Sequence, residues 1–129
     1  MQNIIKDKPY KFVPPVYGEF WARLFCRRLP AYLRNSHGVE SWEFIGAERL
    51  QSSIRAGHGV MLTPNHSRPC DPMVVAMMSW TLGQPVFIMA SWHLFMQSRV
   101  QSFILPRFGV FSMYREGMDR EALKCAVQI

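Results

Sequence analysis

The alternation of short apolar runs with longer helical stretches after residue 40 is the feature that most constrains the fold of this chain. The apolar runs are five or six residues long, as strands are, and they lie at 41–46, 60–64, 85–90 and 109–114. The stretches between them have helical spacing and lie at 47–57, 71–83, 92–108 (one or two helices) and 119–129. Strands that alternate with helices are typical of an α/β fold. The sequence therefore predicts a partly parallel sheet flanked by helices.

Chain length and cysteine content limit the class of protein. A chain of 129 residues can form one domain with a buried core. Its three cysteines include no closely spaced pair, which argues against a disulfide framework and predicts a reduced, intracellular compartment. No apolar run approaches the roughly 20 residues of a transmembrane helix. The histidines His37, His58 and His93 lack the spacing of metal ligands, so no metal site is predicted.

The net charge of +6 is concentrated at the N-terminus, where residues 1–37 hold seven basic and two acidic residues. Prolines and scattered lysines predict an extended leader at 1–17, and aromatic residues at helical spacing predict an amphipathic helix at 18–34 that Pro30 bends or ends. Such an arm is compatible with packing on the domain, with nucleic-acid binding, and with an anionic membrane surface. On a membrane, its aromatic side chains enter the headgroup region and its arginines meet anionic lipid. The residues predicted to make these contacts are Trp21, Phe25, Arg23, Arg27 and Arg28.

A polar loop, NHSRPCDP at 65–72, directly follows the strand predicted at 60–64. In open α/β sheets, catalytic groups gather at the carboxyl ends of the strands. The spacing allows Asp71 to reach one nitrogen of His66, which orients the imidazole so that its other nitrogen can remove a proton from a hydroxyl. The alternative is a polar turn in which His66 is only exposed and Asp71 is only the N-cap of a helix that begins at Pro72.

Two blocks of the sequence carry a family resemblance. NHSRPCDPM, at 65–73, resembles the N-H-x4-D block of the phospholipid/glycerol acyltransferase family, which includes the lysophosphatidic acid acyltransferases. GVFSMYR, at 109–115, is similar to that family's second block, in which a glycine opens an apolar strand that ends in arginine. The blocks have the family's order and separation, so together they are more specific than either alone. The resemblance covers residues 38–129.

The resemblance implies a role for each of these residues. His66 would be the general base, with Asp71 as its orienting partner, for attack of an acceptor hydroxyl on the thioester of acyl-CoA or of acyl-carrier protein, without a bound cofactor. Arg115 would bind the phosphate of a glycerol-phosphate or lysophospholipid acceptor. Such an acceptor implies a peripheral or monotopic position on the cytoplasmic face of a membrane, and a membrane surface rather than nucleic acid as partner. The further substrate-binding residues would be Arg68, Asn65 and Gly109.

Three residues of these blocks admit other roles. Arg115 is alternatively an exposed cation paired with Glu116 or Asp119. Ser67 and Cys70 are candidate nucleophiles, but neither stands in a G-x-S-x-G turn. The family pattern also varies at the Cys70 position.

The family's later blocks are not found in this sequence. Its third block, a phenylalanine-proline-glutamate-glycine-threonine run, and its fourth, proline-containing block are absent. The chain is therefore divided into the basic leader and amphipathic helix at 1–37, predicted from charge and spacing, and residues 38–129, which by resemblance are the N-terminal portion of an acyltransferase domain. On this interpretation the 129-residue chain alone does not turn over acyl donors. The alternative function is a catalytically inactive fragment that binds lipid or a partner.

Overall fold

The computed structural model describes residues 9–16 and 18–129. Within these residues the chain forms six helices and two short strands, so the α/β class is confirmed. In chain order the elements are α1 (Glu19–His37), α2 (Ala47–Arg55), α3 (Asp71–Leu82), β1 (Ile88–Ser91), α4 (Trp92–Met96), α5 (Arg99–Arg107), β2 (Val110–Met113) and α6 (Arg120–Gln128).

The two strands pair in parallel, in a register that runs from Ile88 opposite Val110 to Ser91 opposite Met113. Helices α4 and α5 connect them, because a parallel pair needs a crossover connection. The strands correspond to the third and fourth apolar runs of the sequence, so these two strand predictions are confirmed in shorter form. The pair is the only sheet in the described residues.

The described chain divides into two compact units. The first contains the described residues up to Ala22 together with Phe87–Ile129, and it holds both strands and helices α4 to α6. The second contains Arg23–Val86, and it holds most of α1 with all of α2 and α3. The polar loop at 65–72 therefore belongs to the second unit, and the glycine-to-arginine block at 109–115 belongs to the first.

The core of the second unit forms around Leu33, Cys70 and Met77, which are all buried. Leu33 lies on α1 beyond Pro30, so the helix predicted at 18–34 is confirmed and Pro30, predicted to bend or end it, does not end it. A proline inside a helix costs about 3 kcal/mol because it removes a backbone hydrogen bond. Burial of a leucine contributes about 1.5–3 kcal/mol, which offsets much of that cost. The half-buried side chains packed against this core are Leu29, Val39, Trp42, Phe44, Met73 and Val74.

The segment predicted as a strand at 41–46 forms no strand, so that prediction is wrong. Its alternating pattern still corresponds to one-sided burial, since Trp42 and Phe44 pack on the core while Glu43 and Ile45 are exposed. A strand also needs a neighbour that satisfies its backbone hydrogen bonds. No strand of the described residues pairs with this segment.

The run predicted as a buried strand at 60–64 is exposed and forms no strand. Met61 is 85 % exposed, and Val60 and Leu62 are exposed to a smaller extent. The prediction is wrong because an apolar run can be buried only against a partner surface. No strand in the described part of the chain pairs with this run.

The helical predictions after residue 46 are confirmed, with changes at their ends. Helix α2 ends before Gly57, where a φ of +77° turns the chain. The stretch after β1 forms two helices, and Ser98 begins the second by accepting a hydrogen bond from the Gln101 N–H at 3.1 Å. Helix α6 begins after Asp119, whose Oδ1 accepts from the Ala122 N–H at 3.0 Å.

Residues 9–16, called the N-terminal segment below, lie outside helices and strands, and the rest of the predicted leader lies outside the described residues. The segment runs beside β2, where the Ser112 N–H donates to the Val13 carbonyl at 3.0 Å. The Val16 N–H donates to the Pro106 carbonyl at 2.8 Å. Backbone hydrogen bonds therefore build the N-terminal segment into the first unit.

Candidate active site

The polar loop at 65–70 leads directly into α3 and is held at its end by Cys70. The Cys70 side chain is buried in the core around Leu33. Its carbonyl accepts hydrogen bonds from the N–H groups of Met73 and Val74 at 2.9 and 3.1 Å, which forms the first turn of α3. The buried last residue thus fixes the start of the helix, while the rest of the loop is exposed to solvent.

His66 and Asp71 are in contact at the start of α3. The Nδ1 atom of His66 lies 3.3 Å from Oδ2 of Asp71. A carboxylate only accepts hydrogen bonds, so Nδ1 carries the proton in this contact, and Nε2 of the neutral imidazole holds the lone pair. The distance lies just outside the range of about 2.6–3.2 Å for a catalytic hydrogen bond, and such bonds tighten when substrate binds.

The loop backbone also orients the carboxylate of Asp71. The Arg68 N–H donates to Oδ2 at 2.8 Å. This hydrogen bond is the main cause that lowers the pKa of Asp71; burial, the next largest effect, acts in the opposite direction, and the hydrogen bonds to His66 and to the Ser67 backbone add to the lowering. Asp71 is therefore a carboxylate at neutral pH, which is the state that accepts a proton from Nδ1.

Asp71 is not the N-cap of α3, so that part of the sequence interpretation is wrong. The helix begins with Asp71, and the N-cap is Cys70, which makes no side-chain capping hydrogen bond. Pro72 lies in the first turn, as its missing N–H allows. The Asp71 carboxylate accepts from the loop N–H of Arg68 instead of capping the helix, and so it serves the histidine contact.

Both members of the His66–Asp71 pair are accessible to solvent. The side chain of His66 is 64 % exposed and that of Asp71 is 24 % exposed. The imidazole is therefore accessible to a hydroxyl group from solution. Chemically, the pair can accept a proton at Nε2 and stabilise the resulting imidazolium through the carboxylate.

The other predicted residues of the loop differ in accessibility. Asn65, Ser67 and Arg68 are exposed, and the backbone of Arg68 orients Asp71, a role that the sequence interpretation did not assign. Cys70 is buried, as inert structural cysteines are, whereas a reactive thiol needs access. Its thiol therefore contributes to the core and not to the exposed loop surface.

Gly109 and Arg115 flank β2 in the first unit. Gly109 has a φ of +77°, which favours glycine, and its carbonyl accepts from the Ile88 N–H at 3.0 Å. The glycine that opens this block therefore makes the turn from α5 into the strand. Arg115 follows the carboxyl end of β2 and is exposed. Among the described residues, no salt bridge joins it to Glu116 or Asp119.

Residues 42–128 match the family model described as Acyltransferase. The matched region spans more than half of the chain and includes both the His66–Asp71 pair and the block from Gly109 to Arg115. The chain belongs to the acyltransferase family. The family predicted from the sequence resemblance is therefore confirmed. No significant match was found among curated proteins or among solved structures.

The acyltransferase contains a polar cluster in its first unit that the sequence interpretation missed. The Tyr10 hydroxyl donates to Oδ2 of Asp119 and lies 3.3 Å from Oγ of Ser112. Ser112 is fully buried, and its Oγ also accepts from the Val13 N–H at 2.8 Å. Oδ2 of Asp119 accepts a further hydrogen bond from the Tyr114 N–H at 2.9 Å. Tyr10 and Asp119 are 109 positions apart, so no local sequence pattern could have indicated the cluster.

The surroundings of this cluster give its two titratable residues, Tyr10 and Asp119, different charge states at neutral pH. Burial, followed by the hydrogen bond to Asp119, raises the pKa of Tyr10 to about 12. Burial also acts to raise the pKa of Asp119, but hydrogen bonds from Tyr10, Ala122 and Tyr114 outweigh it and lower that pKa. At neutral pH Tyr10 is therefore a neutral donor, and Asp119 is a carboxylate that only accepts.

A shallow apolar cavity of about 180 Å³ lies in the first unit of the acyltransferase, beside the segment that follows β2. Tyr114 and Asp119 border it, so the polar cluster and the cavity share a wall. Its other lining residues are Met89, Met113, Gly117, Met118, Ala122 and Leu123.

The residues of the acyltransferase predicted to contact a membrane lie on α1 and divide into two groups. Trp21 and Phe25 are half-buried, and the Trp21 ring meets the Phe103 ring edge-on at 5.7 Å. The Arg107 guanidinium lies 3.5 Å from the centre of the Phe103 ring. These contacts favour packing as the role of Trp21. The exposed group consists of Arg23, Arg27 and Arg28, and it is joined by Phe20, which is 70 % exposed.

Three further features bear on the chemistry of the acyltransferase. No helix within the described residues combines the length and the hydrophobicity that crossing a membrane requires. Across residues 9–16 and 18–129, no three side chains of His, Cys, Asp or Glu are arranged to hold a metal ion. All three cysteines are free thiols.

Proposed function

We propose that this acyltransferase moves an acyl group from a thioester donor to a hydroxyl of a glycerol-phosphate or lysophospholipid acceptor. The donor is acyl-CoA or acyl-carrier protein, and the reaction needs no bound cofactor. The observation that supports this proposal most strongly is the 3.3 Å contact between Nδ1 of His66 and Oδ2 of Asp71, inside the region that matches the family.

In the proposed reaction, Nε2 of His66 removes the proton from the acceptor hydroxyl. The hydroxyl oxygen attacks the carbonyl carbon of the thioester, so a C–O bond forms and the C–S bond breaks. The leaving thiolate then takes the proton from the imidazolium, which returns His66 to its starting state. Asp71 stabilises the imidazolium during these steps and keeps the Nδ1 proton in place. No covalent acyl-enzyme forms.

Arg115 is proposed to bind the phosphate of the acceptor. A guanidinium group can donate two parallel hydrogen bonds to phosphate oxygens. Arg115 is exposed at the carboxyl end of β2, and ligands of α/β sheets bind at that edge. Within the described residues, no salt bridge joins Arg115 to Glu116 or Asp119, so its positive charge is available to a ligand.

Acceptor-dependent turnover tests this function, and it is measured on the full-length protein, which here means the natural gene product. With acyl-CoA or acyl-carrier protein as donor, we expect thiol release that requires glycerol 3-phosphate or a lysophospholipid, and an equal amount of ester product. A thiol-reactive dye measures the first quantity and mass spectrometry the second, with donor alone as the control. A donor that binds but is not consumed with any of these acceptors would contradict acyl transfer and favour the inactive lipid-binding function.

A membrane surface is the proposed location of the reaction, since the acyl chain of a lysophospholipid acceptor resides in the bilayer. Helix α1 exposes the large apolar side chains of Phe20 and Leu24, which are 70 % and 42 % exposed. Exposed arginines lie on the same helix. A helix that carries both kinds of side chain is suited to the headgroup region of an anionic bilayer.

Replacing Arg23, Arg27 and Arg28 with glutamine should weaken the binding of the full-length protein to anionic vesicles. The expected loss is about 1 kcal/mol per arginine, because each cation near the surface interacts with the negative surface potential. Vesicle sedimentation at several salt concentrations measures this loss, and binding of the unmodified protein should fall as salt rises. A matched control replaces three exposed arginines elsewhere and should have little effect; these are Arg49, Arg55 and Arg99. Equal binding to neutral vesicles, with no effect of salt, would assign α1 to packing alone.

A further inference from the structure

Arg115 lies in the segment 114–119, and the Asp119 carboxylate holds both ends of this segment by hydrogen bonds. Oδ2 of Asp119 accepts from the Tyr114 N–H at 2.9 Å, and Oδ1 accepts from the Ala122 N–H at 3.0 Å. The first hydrogen bond joins the start of the segment to its end, and the second joins its end to α6. The backbone on both sides of Arg115 is therefore positioned by the orientation of the Asp119 side chain.

Tyr10, from the N-terminal segment, holds this carboxylate in turn. Its hydroxyl donates to Oδ2 of Asp119. Its ring stacks on Tyr114, with centroids 5.0 Å apart, and meets Trp92 edge-on at 5.6 Å. The hydroxyl of the buried Ser112 also lies 3.3 Å from the Tyr10 hydroxyl oxygen. Contacts on the ring and on the hydroxyl thus set the direction in which Tyr10 donates.

We propose that Tyr10 is a positioning residue for the acceptor: through Asp119, it holds Arg115 in the orientation that binds the acceptor phosphate. The inference rests on the proposed function, because it takes Arg115 as the phosphate ligand. Tyr10 does not touch the substrate. A hydrogen bond to a carboxylate is roughly twice as strong as one between neutral groups, so loss of the Tyr10 hydroxyl should loosen the whole segment. The N-terminal segment then supports the acceptor site from behind, through the hydrogen bond of Tyr10 to Asp119.

Tyr10→Phe tests this role, because it removes only the hydroxyl and keeps the ring contacts with Tyr114 and Trp92. In the full-length protein we expect KM for glycerol 3-phosphate to rise by about 3–10-fold, while kcat changes by less than about twofold. Hydrogen exchange of the Tyr114 amide, which donates to Asp119, should accelerate in the same variant. The amide readout does not depend on activity.

Two further variants give the experiment its controls. Asp119→Asn keeps a side chain that can cap α6 but removes the charge, and it should raise KM at least as much as Tyr10→Phe. Tyr32→Phe removes a hydroxyl from an exposed tyrosine of the second unit and should alter neither KM nor the Tyr114 amide. The melting temperature of each variant is recorded, so that a change in global stability is separated from a change in KM.

The outcomes separate the inference from the function on which it rests. Arg115→Gln should raise KM for glycerol 3-phosphate if this arginine binds the phosphate. If Arg115→Gln does so and Tyr10→Phe changes neither KM nor the Tyr114 amide, the inference is overturned and the proposed function stands. Faster exchange of that amide with an unchanged KM would also overturn it. An unchanged KM in Arg115→Gln would overturn the phosphate assignment together with the inference.

Discussion

Replacing His66 with alanine in the full-length protein should lower the rate of acyl transfer by about 10²–10⁴-fold, the contribution that a positioned general base makes. The imidazole is in contact with Asp71 and is 64 % exposed, so no core packing is lost with it. KM for the donor should change little, because the lost interaction acts in the transition state. Initial rates of thiol release at saturating donor and acceptor measure the effect.

Two variants control this experiment. His58→Ala removes another exposed histidine of the same unit and should leave the rate unchanged. Cys70→Ala should leave most of the activity, with at most a loss of stability, because the thiol is 3 % exposed and lies in the core. A folded Cys70→Ala protein without activity, alongside an active His66→Ala protein, would instead support a thiol nucleophile.

Replacing Asp71 with asparagine should lower the rate on the order of 10²-fold. The Arg68 N–H and Nδ1 of His66 both contact Oδ2, so asparagine places either its oxygen or its NH2 group at that point. With the oxygen there, both hydrogen bonds remain but the charge that stabilises the imidazolium is lost. With the NH2 group there, the Arg68 contact is lost and the amide donates to Nδ1, which moves the imidazole proton to Nε2. The nitrogen that should act as the base then carries a proton. Rate measurements beside Glu43→Gln, a change at an exposed carboxylate of the same unit, provide the comparison.

The double variant with His66→Ala and Asp71→Asn shows whether the two residues act as a unit. If Asp71 works only through the imidazole, the double variant should be as slow as His66→Ala alone. Rate losses that simply multiply would mean that Asp71 contributes to catalysis independently of His66. That result would contradict the proposed mechanism while leaving the general base in place.

The parts of the fold that sequence predicted well are those controlled by neighbouring residues. Helix α6 begins where Asp119 supplies a cap, and β2 begins after the glycine turn at Gly109. The His66–Asp71 contact is of the same kind, since only five positions separate the two residues and a short loop brings them together. Interactions of this range depend on spacing and residue type, which a sequence displays directly.

Two of the four strand predictions failed, and Pro30 did not end α1, where distant parts of the chain decided the outcome. The runs at 41–46 and 60–64 have the composition of strands, but strand formation depends on whether another strand lies alongside. Pro30 disfavours a helix locally, yet α1 continues because Leu33 is buried against Cys70 and Met77. In each case the presence or the absence of a contact with a distant part of the chain outweighed the local preference.

Sequence alone therefore determined the α/β class, the positions of most helices, the family and the candidate base with its carboxylate. Tertiary structure alone determined which apolar runs became strands and which side chain of the N-terminal segment reaches Asp119. The physical reason is the range of the interactions. Caps, turns and the five-residue His66–Asp71 spacing are set within a few positions, whereas strand pairing and the Tyr10 hydrogen bond join residues that only the folded chain brings together.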